Sequence, residues 1–65
     1  MILANADLVD ARMKIDYYKQ ALVIARETGY RRGEGIQPAN LGVVYKGLNG
    51  LDRNRYYWQQ ALRTF

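Results

Sequence analysis

The sequence predicts an all-α fold built from antiparallel helical hairpins, with three or four helices. Three features predict it: apolar residues at helical spacing over the first 25 positions, a hexapeptide that recurs forty positions later, and turn signals at Gly29 and Asn49-Gly50. The 65 residues make one domain, and a domain of this size buries only about 60% of its unfolded surface. Because Cys and His are absent, neither disulfides nor zinc can add stability. Helix packing or self-association must supply it.

The first helix is predicted at residues 2 to 28. This segment contains no Gly or Pro, and its apolar residues alternate steps of three and four, which places them on one stripe of a helix. The stripe comprises Met1, Ala4, Leu8, Ala11, Ile15, Tyr18, Leu22 and Ala25. Gly29 follows where a helix needs a left-handed cap. Two alternatives stay open: one continuous helix, or a turn at Val9-Asp10 that folds residues 1 to 8 back as a fourth helix.

The second helix is predicted at residues 37 to 48. Gly33 and Gly35 weaken helix formation, so the segment before Gln37 is expected to be a linker. Pro38 is then tolerated because it falls in the first helical turn, where its missing N–H costs no hydrogen bond.

The third helix is predicted at residues 52 to 64. Asn49-Gly50 ends the preceding helix, and Asp52 is the expected N-cap. The three helices together account for an all-helical chain.

A hexapeptide occurs twice. Tyr17-Tyr18-Lys19-Gln20-Ala21-Leu22 returns as Tyr57-Trp58-Gln59-Gln60-Ala61-Leu62, with four identities and two similar exchanges. A period of roughly 34 to 47 residues is typical of the helix-turn-helix unit of an α-solenoid, whose units stack because none buries its apolar face alone. The repeat therefore predicts an interaction scaffold with solenoid-type hairpins.

Three segments follow a known pattern of Leu-Gly, Tyr, a Leu-and-Gly turn, an aromatic residue and Ala-Leu. They are Ala39-Asn40-Leu41-Gly42-Val43-Val44-Tyr45-Lys46-Gly47-Leu48, Asn49-Gly50-Leu51 and Tyr57-Trp58-Gln59-Gln60-Ala61-Leu62. This pattern resembles the tetratricopeptide repeat (TPR) family. Residues 17 to 35 resemble the second helix and linker of the family's longer, roughly forty-residue variety, so the match covers about one and a half units over residues 11 to 62.

The resemblance implies a non-catalytic scaffold that binds proteins or peptides along the first helix of each unit. Carried over position by position, this face maps to Ile36, Ala39, Asn40, Val43, Lys46 and Gly47. Asn40 matches an Asn that often bonds the ligand backbone, and Lys46 could pair with an acidic group. The alternative, that Asn40 simply faces water, stays open.

Small residues in the pattern predict close helix packing. Gly42 and Ala61 would let two antiparallel helices approach to about 8 to 10 Å, with Tyr45 and Trp58 beside them. Trp58 is expected inside, equivalent to Tyr18 of the other copy. The predicted core comprises Ile15, Tyr18, Leu22, Leu41, Gly42, Tyr45, Trp58, Ala61 and Leu62. Asn54 stands where the family usually has a small residue, so looser or more exposed packing is expected there.

Catalysis is not expected. Ser is absent, and Thr28 and Thr64 have no base beside them in sequence. No cofactor, metal or small-molecule substrate is predicted. The sequence also lacks a membrane span and a signal peptide, so a soluble cytoplasmic protein is expected.

Charge distribution suggests an alternative function. Residues 1 to 29 carry four basic and four acidic side chains, whereas the rest carries six basic and two acidic ones, so the whole net charge of +4 lies downstream. A basic nucleic-acid-binding module that uses Arg53 and Arg55 is the alternative. Solvated surface of a small domain is the simpler interpretation, so nucleic acid is the less favoured partner.

The uncovered ends of so short a solenoid predict self-association, most simply as a homodimer formed by domain swapping or by an isologous contact. At least three stacked units are normally needed to cover such ends, and a helix of about 27 residues would extend well beyond either partner helix. The start at Met1, the end inside a helix at Phe65 and the shortened first unit favour an engineered or designed module.

Overall fold

The computed structural model describes residues 5 to 64, which form three α-helices and no strand. They are α1 (Asn5–Thr28), α2 (Arg31–Gly47) and α3 (Leu51–Thr64). The predicted all-α class is confirmed. Within this part of the chain, no helix is both long enough and apolar enough to cross a membrane.

Helix α2 is the central element. It packs against both α1 and α3, whereas no Cα atom of α1 lies within 8 Å of a Cα atom of α3. The ends of α1 and α3 meet only through side chains, where Arg26 donates to the Gln60 side-chain oxygen at 2.8 Å. The outer helices therefore depend on α2 rather than on each other.

The core lies where both outer helices meet one side of α2. Leu41 is fully buried there, in contact with the cluster of Ile15 and Leu22 from α1. The half-buried side chains around this cluster are Tyr18, Val44, Tyr45, Leu48 and Tyr57. Ala25 and Ala61 are also buried, at the α1–α2 and α2–α3 contacts.

Two predicted core residues lie elsewhere. Leu62 is 70% exposed and Trp58 is 41% exposed. Helix α3 contacts α2 through a narrow strip that includes Asn54 and Ala61, and Leu62 points about 100° away from Ala61 around the helix. Trp58 therefore lies at the edge of the α2–α3 contact and is not equivalent to the half-buried Tyr18.

Helix α1 runs without a break through Val9-Asp10, so the described residues form one helix there and not two. The predicted residues 2 to 4, with Met1 and Ala4 of the apolar stripe, lie outside the described part. At the other end the left-handed cap is confirmed, since Gly29 has φ 72° and the Tyr30 N–H donates to the Ala25 carbonyl at 2.8 Å.

Helix α2 begins at Arg31, six residues earlier than predicted, so the expected linker is helical. Gly33 explains the difference: a Cβ atom there would lie 2.9 Å from the Ala25 Cβ and 2.8 Å from the Tyr30 ring. The missing side chain lets the start of α2 pack directly on the end of α1. Close contact between the helices thus outweighs the low helix propensity of glycine.

Pro38 is consequently inside α2 and not in its first turn. It is almost fully buried and cannot donate to the Glu34 carbonyl four residues earlier. Thr64 Oγ1 lies 3.5 Å from that carbonyl oxygen. The Thr64 hydroxyl, at the end of α3, therefore lies near the carbonyl oxygen that receives no hydrogen bond from the proline.

The turn between α2 and α3 is confirmed at Asn49-Gly50. Asn49 has φ 60°, and the Gly50 N–H donates to the Tyr45 carbonyl at 2.7 Å. Helix α3 begins at Leu51, and its first bond runs from the Asn54 N–H to the Gly50 carbonyl at 2.8 Å. Asp52 is therefore not the N-cap but lies in the first turn, where its charge favours the helix dipole.

Candidate interaction surfaces

The six predicted peptide-binding residues share one side of α2, roughly opposite Leu41. Ile36, Ala39 and Asn40 are half-buried, whereas Val43, Lys46 and Gly47 are exposed. Neither α1 nor α3 covers this outward face of α2 completely. It offers an exposed apolar side chain, an amide and an ammonium group within three helical turns.

A groove of about 370 Å³ adjoins the outward face of α2 where α2 meets the N-terminal half of α1. Its lining residues are Asp10, Ala11, Lys14, Val43, Val44, Gly47 and Leu48. The volume falls at the small end of typical ligand pockets. Its apolar floor with one carboxylate and one ammonium group suits a side chain of a peptide better than a small metabolite, which needs several converging polar groups.

A second surface is the outer stripe of α1, defined by Val9, Met13, Tyr17 and Ile24. Their side chains are 55%, 64%, 68% and 59% exposed. At 100° per residue the four positions fall within about 80° of the helix circumference, nearly opposite the buried Ile15 and Leu22. Helix α1 therefore carries apolar residues on two opposite sides, and α2 covers one of them.

A third exposed apolar set lies on α3 and comprises Leu51, Trp58 and Leu62. Arg55 shares the same side of the helix, between Leu51 and Trp58. A charged side chain thus interrupts this apolar set.

Aromatic residues gather where the end of α2 meets α3. Tyr45 and Tyr57 stack with ring centroids 5.6 Å apart, and Tyr56 meets Tyr57 edge to face at 5.0 Å. The Arg53 guanidinium lies 5.6 Å from the Tyr45 ring centroid. The ring that stacks on Tyr57 therefore comes from α2, whereas the neighbouring Tyr56 meets Tyr57 only edge to face.

Asn54 makes a contact that the sequence pattern missed. Its Nδ2 donates to the Gly42 carbonyl at 2.6 Å, and the Trp58 ring lies over the same glycine. A Cβ atom on Gly42 would come within 2.9 Å of Trp58 Cδ1 and Nε1. The expectation of looser packing at Asn54 is therefore wrong. Within one turn of α3, Asn54 donates a hydrogen bond to the Gly42 carbonyl, and the Trp58 ring packs on the same glycine.

The hydroxyl groups of the two threonines on the described helices face the backbone. Thr28 Oγ1 donates to the Ile24 carbonyl at 2.8 Å, and Thr64 Oγ1 lies 3.2 Å from the Gln60 carbonyl oxygen. Among the side chains of residues 8 to 64, no group of three from His, Cys, Asp or Glu is placed to hold a metal ion. The features that stand out chemically are apolar and aromatic surfaces.

No protein-family model matches the chain, and no curated protein or solved structure does either. The choice of function therefore depends on the surfaces described above.

Proposed function

We propose that this chain is a non-catalytic, cytoplasmic protein–protein interaction module with a TPR-like arrangement of helical hairpins, and that it self-associates as a homodimer. One observation carries the proposal: apolar side chains lie on two opposite sides of α1, and only one side is covered. A helix that is apolar on both sides is normally buried between partners. Exposed contiguous apolar surface on a soluble protein is typical of an interaction site.

The hairpin order and the α2–α3 contact support the TPR-like part of the proposal. The contact between Gly42 and the Trp58 ring, a small residue beneath an aromatic one, is of the kind that the resemblance implies. The outward face of α2 would be the ligand-binding face, with Asn40 and Lys46 as its polar groups. The groove beside Val43 and Gly47 would take an anchoring side chain of the bound peptide.

The first prediction concerns the mass in solution. At tens of micromolar we expect twice the chain mass of 7.5 kDa, measured by sedimentation equilibrium. Dilution should lower both the mass and the melting temperature, because dissociation removes the stabilisation that the partner provides. A mass of one chain that does not change with concentration would rule out self-association.

Nucleic-acid binding is the second candidate, favoured by the aromatic cluster beside basic residues. Arg53 lies over Tyr45, Tyr56 is 54% exposed, and Arg55 is exposed on the same helix. Exposed aromatic rings with arginines can stack on unpaired bases. The tight stacking of Tyr45 on Tyr57 weighs against it, because these two ring faces already cover each other.

The second prediction separates the two candidates. We expect no binding of single-stranded oligonucleotides in fluorescence anisotropy at physiological salt. If nucleic acid is the partner, binding should appear at low salt, weaken steeply as salt rises, and drop when Arg53 and Arg55 are both changed to Gln. A loss that is the same with Arg31 and Arg32 changed would indicate only nonspecific attraction.

A further inference from the structure

The outer stripe of α1 has the features of a two-fold contact. We propose that α1 pairs with α1 of a second copy in antiparallel orientation, with the two-fold axis near Tyr17. This inference rests on the proposed self-association and adds the surface and the orientation.

The two ends of the stripe are symmetric about its centre, and polar residues mirror the two apolar residues between them. Val9 and Ile24 lie equally far from the midpoint between Asp16 and Tyr17, and Met13 and Gln20 do so as well. In an antiparallel pair centred there, Val9 would face Ile24 of the partner copy. Met13 would face Gln20 of that copy, and Tyr17 would lie beside its Asp16. The stripe from Val9 to Ile24 is about 22 Å long.

The central side chain of the stripe already contacts a neighbouring ring. Tyr17 packs edge to face on Tyr18, with ring centroids 5.7 Å apart, although Tyr17 is 68% exposed. An exposed ring that is fixed before binding loses little conformational freedom on association. Tyrosine is also enriched at the centres of interfaces.

Net charge favours α1 over α2 and α3 as the helix that pairs with its own copy. Helix α1 contains four basic and four acidic residues, so two copies meet without net repulsion. Helices α2 and α3 each contain three basic residues and one acidic residue, so either would bring like charge against like charge. On α3 a charged residue, Arg55, also lies among the exposed apolar residues.

The helix dipole favours the antiparallel orientation of the two α1 helices, because the two dipoles are then opposed. Within the stripe from Val9 to Ile24 the first half is neutral and the second half carries only Lys19, so an antiparallel pair keeps the two Lys19 side chains apart from each other.

The first experiment compares three lysine substitutions by sedimentation at several concentrations. Ile24→Lys should raise the dimer dissociation constant about tenfold or more, since two lysines would enter each symmetric interface. Val43→Lys is the matched control, because Val43 and Ile24 are both 59% exposed, and it should leave the constant unchanged. Leu62→Lys tests the apolar set of α3 and should also have no effect. Circular dichroism checks that each variant stays helical.

The second experiment tests the orientation of the pair by cross-linking. Because the chain has no cysteine of its own, the linker reacts only with the introduced cysteines. Val9→Cys and Ile24→Cys are treated with a short thiol-specific cross-linker, each alone and as a mixture. In the antiparallel pair the two copies of residue 9 lie about 22 Å apart, beyond the reach of the linker. Cross-linked dimers are therefore expected only in the mixture.

The outcomes separate this inference from the proposed function. A mass of one chain for the unmodified protein would overturn both. A dimer that dissociates with Leu62→Lys or Val43→Lys but not with Ile24→Lys would overturn the α1 pairing and leave self-association intact. Efficient cross-linking of Val9→Cys alone would indicate a parallel pair and overturn the antiparallel one.

Discussion

Leu41→Ala is expected to lower the free energy of unfolding by about 2 to 5 kcal/mol, because it removes buried methyl groups and leaves a cavity. Leu41 is fully buried and touches the cluster of Ile15 and Leu22, so it joins α1 to the central helix. A domain of this size has a total stability of only a few kcal/mol. Most of the population should therefore be unfolded at 25 °C, visible as lost helical signal in circular dichroism.

Val43→Ala is the control for Leu41→Ala. Val43 lies two residues further along α2 and is 59% exposed, so its truncation should change stability by less than about 0.5 kcal/mol. Both variants are compared in urea at one protein concentration, since dimer formation would make the midpoint depend on concentration. Equal midpoints for the two variants would show that Leu41 does not belong to the core.

Gly42→Ala is expected to destabilise the protein although alanine is the better helix former. A Cβ atom at this position would lie 2.9 Å from two atoms of the Trp58 ring, so α3 must shift or the ring must move. The crowding costs about 1 to 3 kcal/mol, against a gain of about 1 kcal/mol in helix propensity. A shift of α3 would also lengthen the 2.6 Å hydrogen bond from Asn54 to the Gly42 carbonyl.

Gly47→Ala is the matched control for Gly42→Ala. A Cβ atom on Gly47 meets no atom within 4 Å, so this variant should gain about 0.5 to 1 kcal/mol. The decisive measurement is a double-mutant cycle in chemical denaturation. With Trp58→Ala already present, Gly42→Ala should become neutral or stabilising. If it destabilises by the same amount in both backgrounds, the tryptophan is not the obstacle.

Local signals in the sequence predicted the C-terminal ends of α1 and α2 well. Gly29 and Asn49 occupy left-handed positions that few other residue types adopt cheaply, so the sequence around them is sufficient to locate both stops. The start of α2 could not be predicted in the same way. Gly33 and Pro38 read as helix breakers, and only the distant Ala25 and Thr64 explain why the helix runs through them.

The candidate surfaces were predictable in part. Helical periodicity was enough to place Ile36, Asn40 and Val43 on one side of α2, because that follows from spacing alone. The outer stripe of α1 was not predicted, because the inner stripe alone already gives the helix the one apolar face that a surface helix is expected to have. The aromatic and Asn54 contacts depend on how α3 is placed against α2, which spacing along the chain does not encode.

The central position of α2 also determines how the molecule opens. Because α1 and α3 share no backbone contact, either outer helix can detach from α2 while the remaining outer helix stays packed on it. Repeat proteins, in which each unit contacts only its neighbours, open in the same way. Amide hydrogens of α3 should then exchange with solvent through local opening that leaves α1 and α2 protected. Amides in the middle of α2, beside Leu41, become accessible only when both neighbours are lost, so they report the stability of the whole chain.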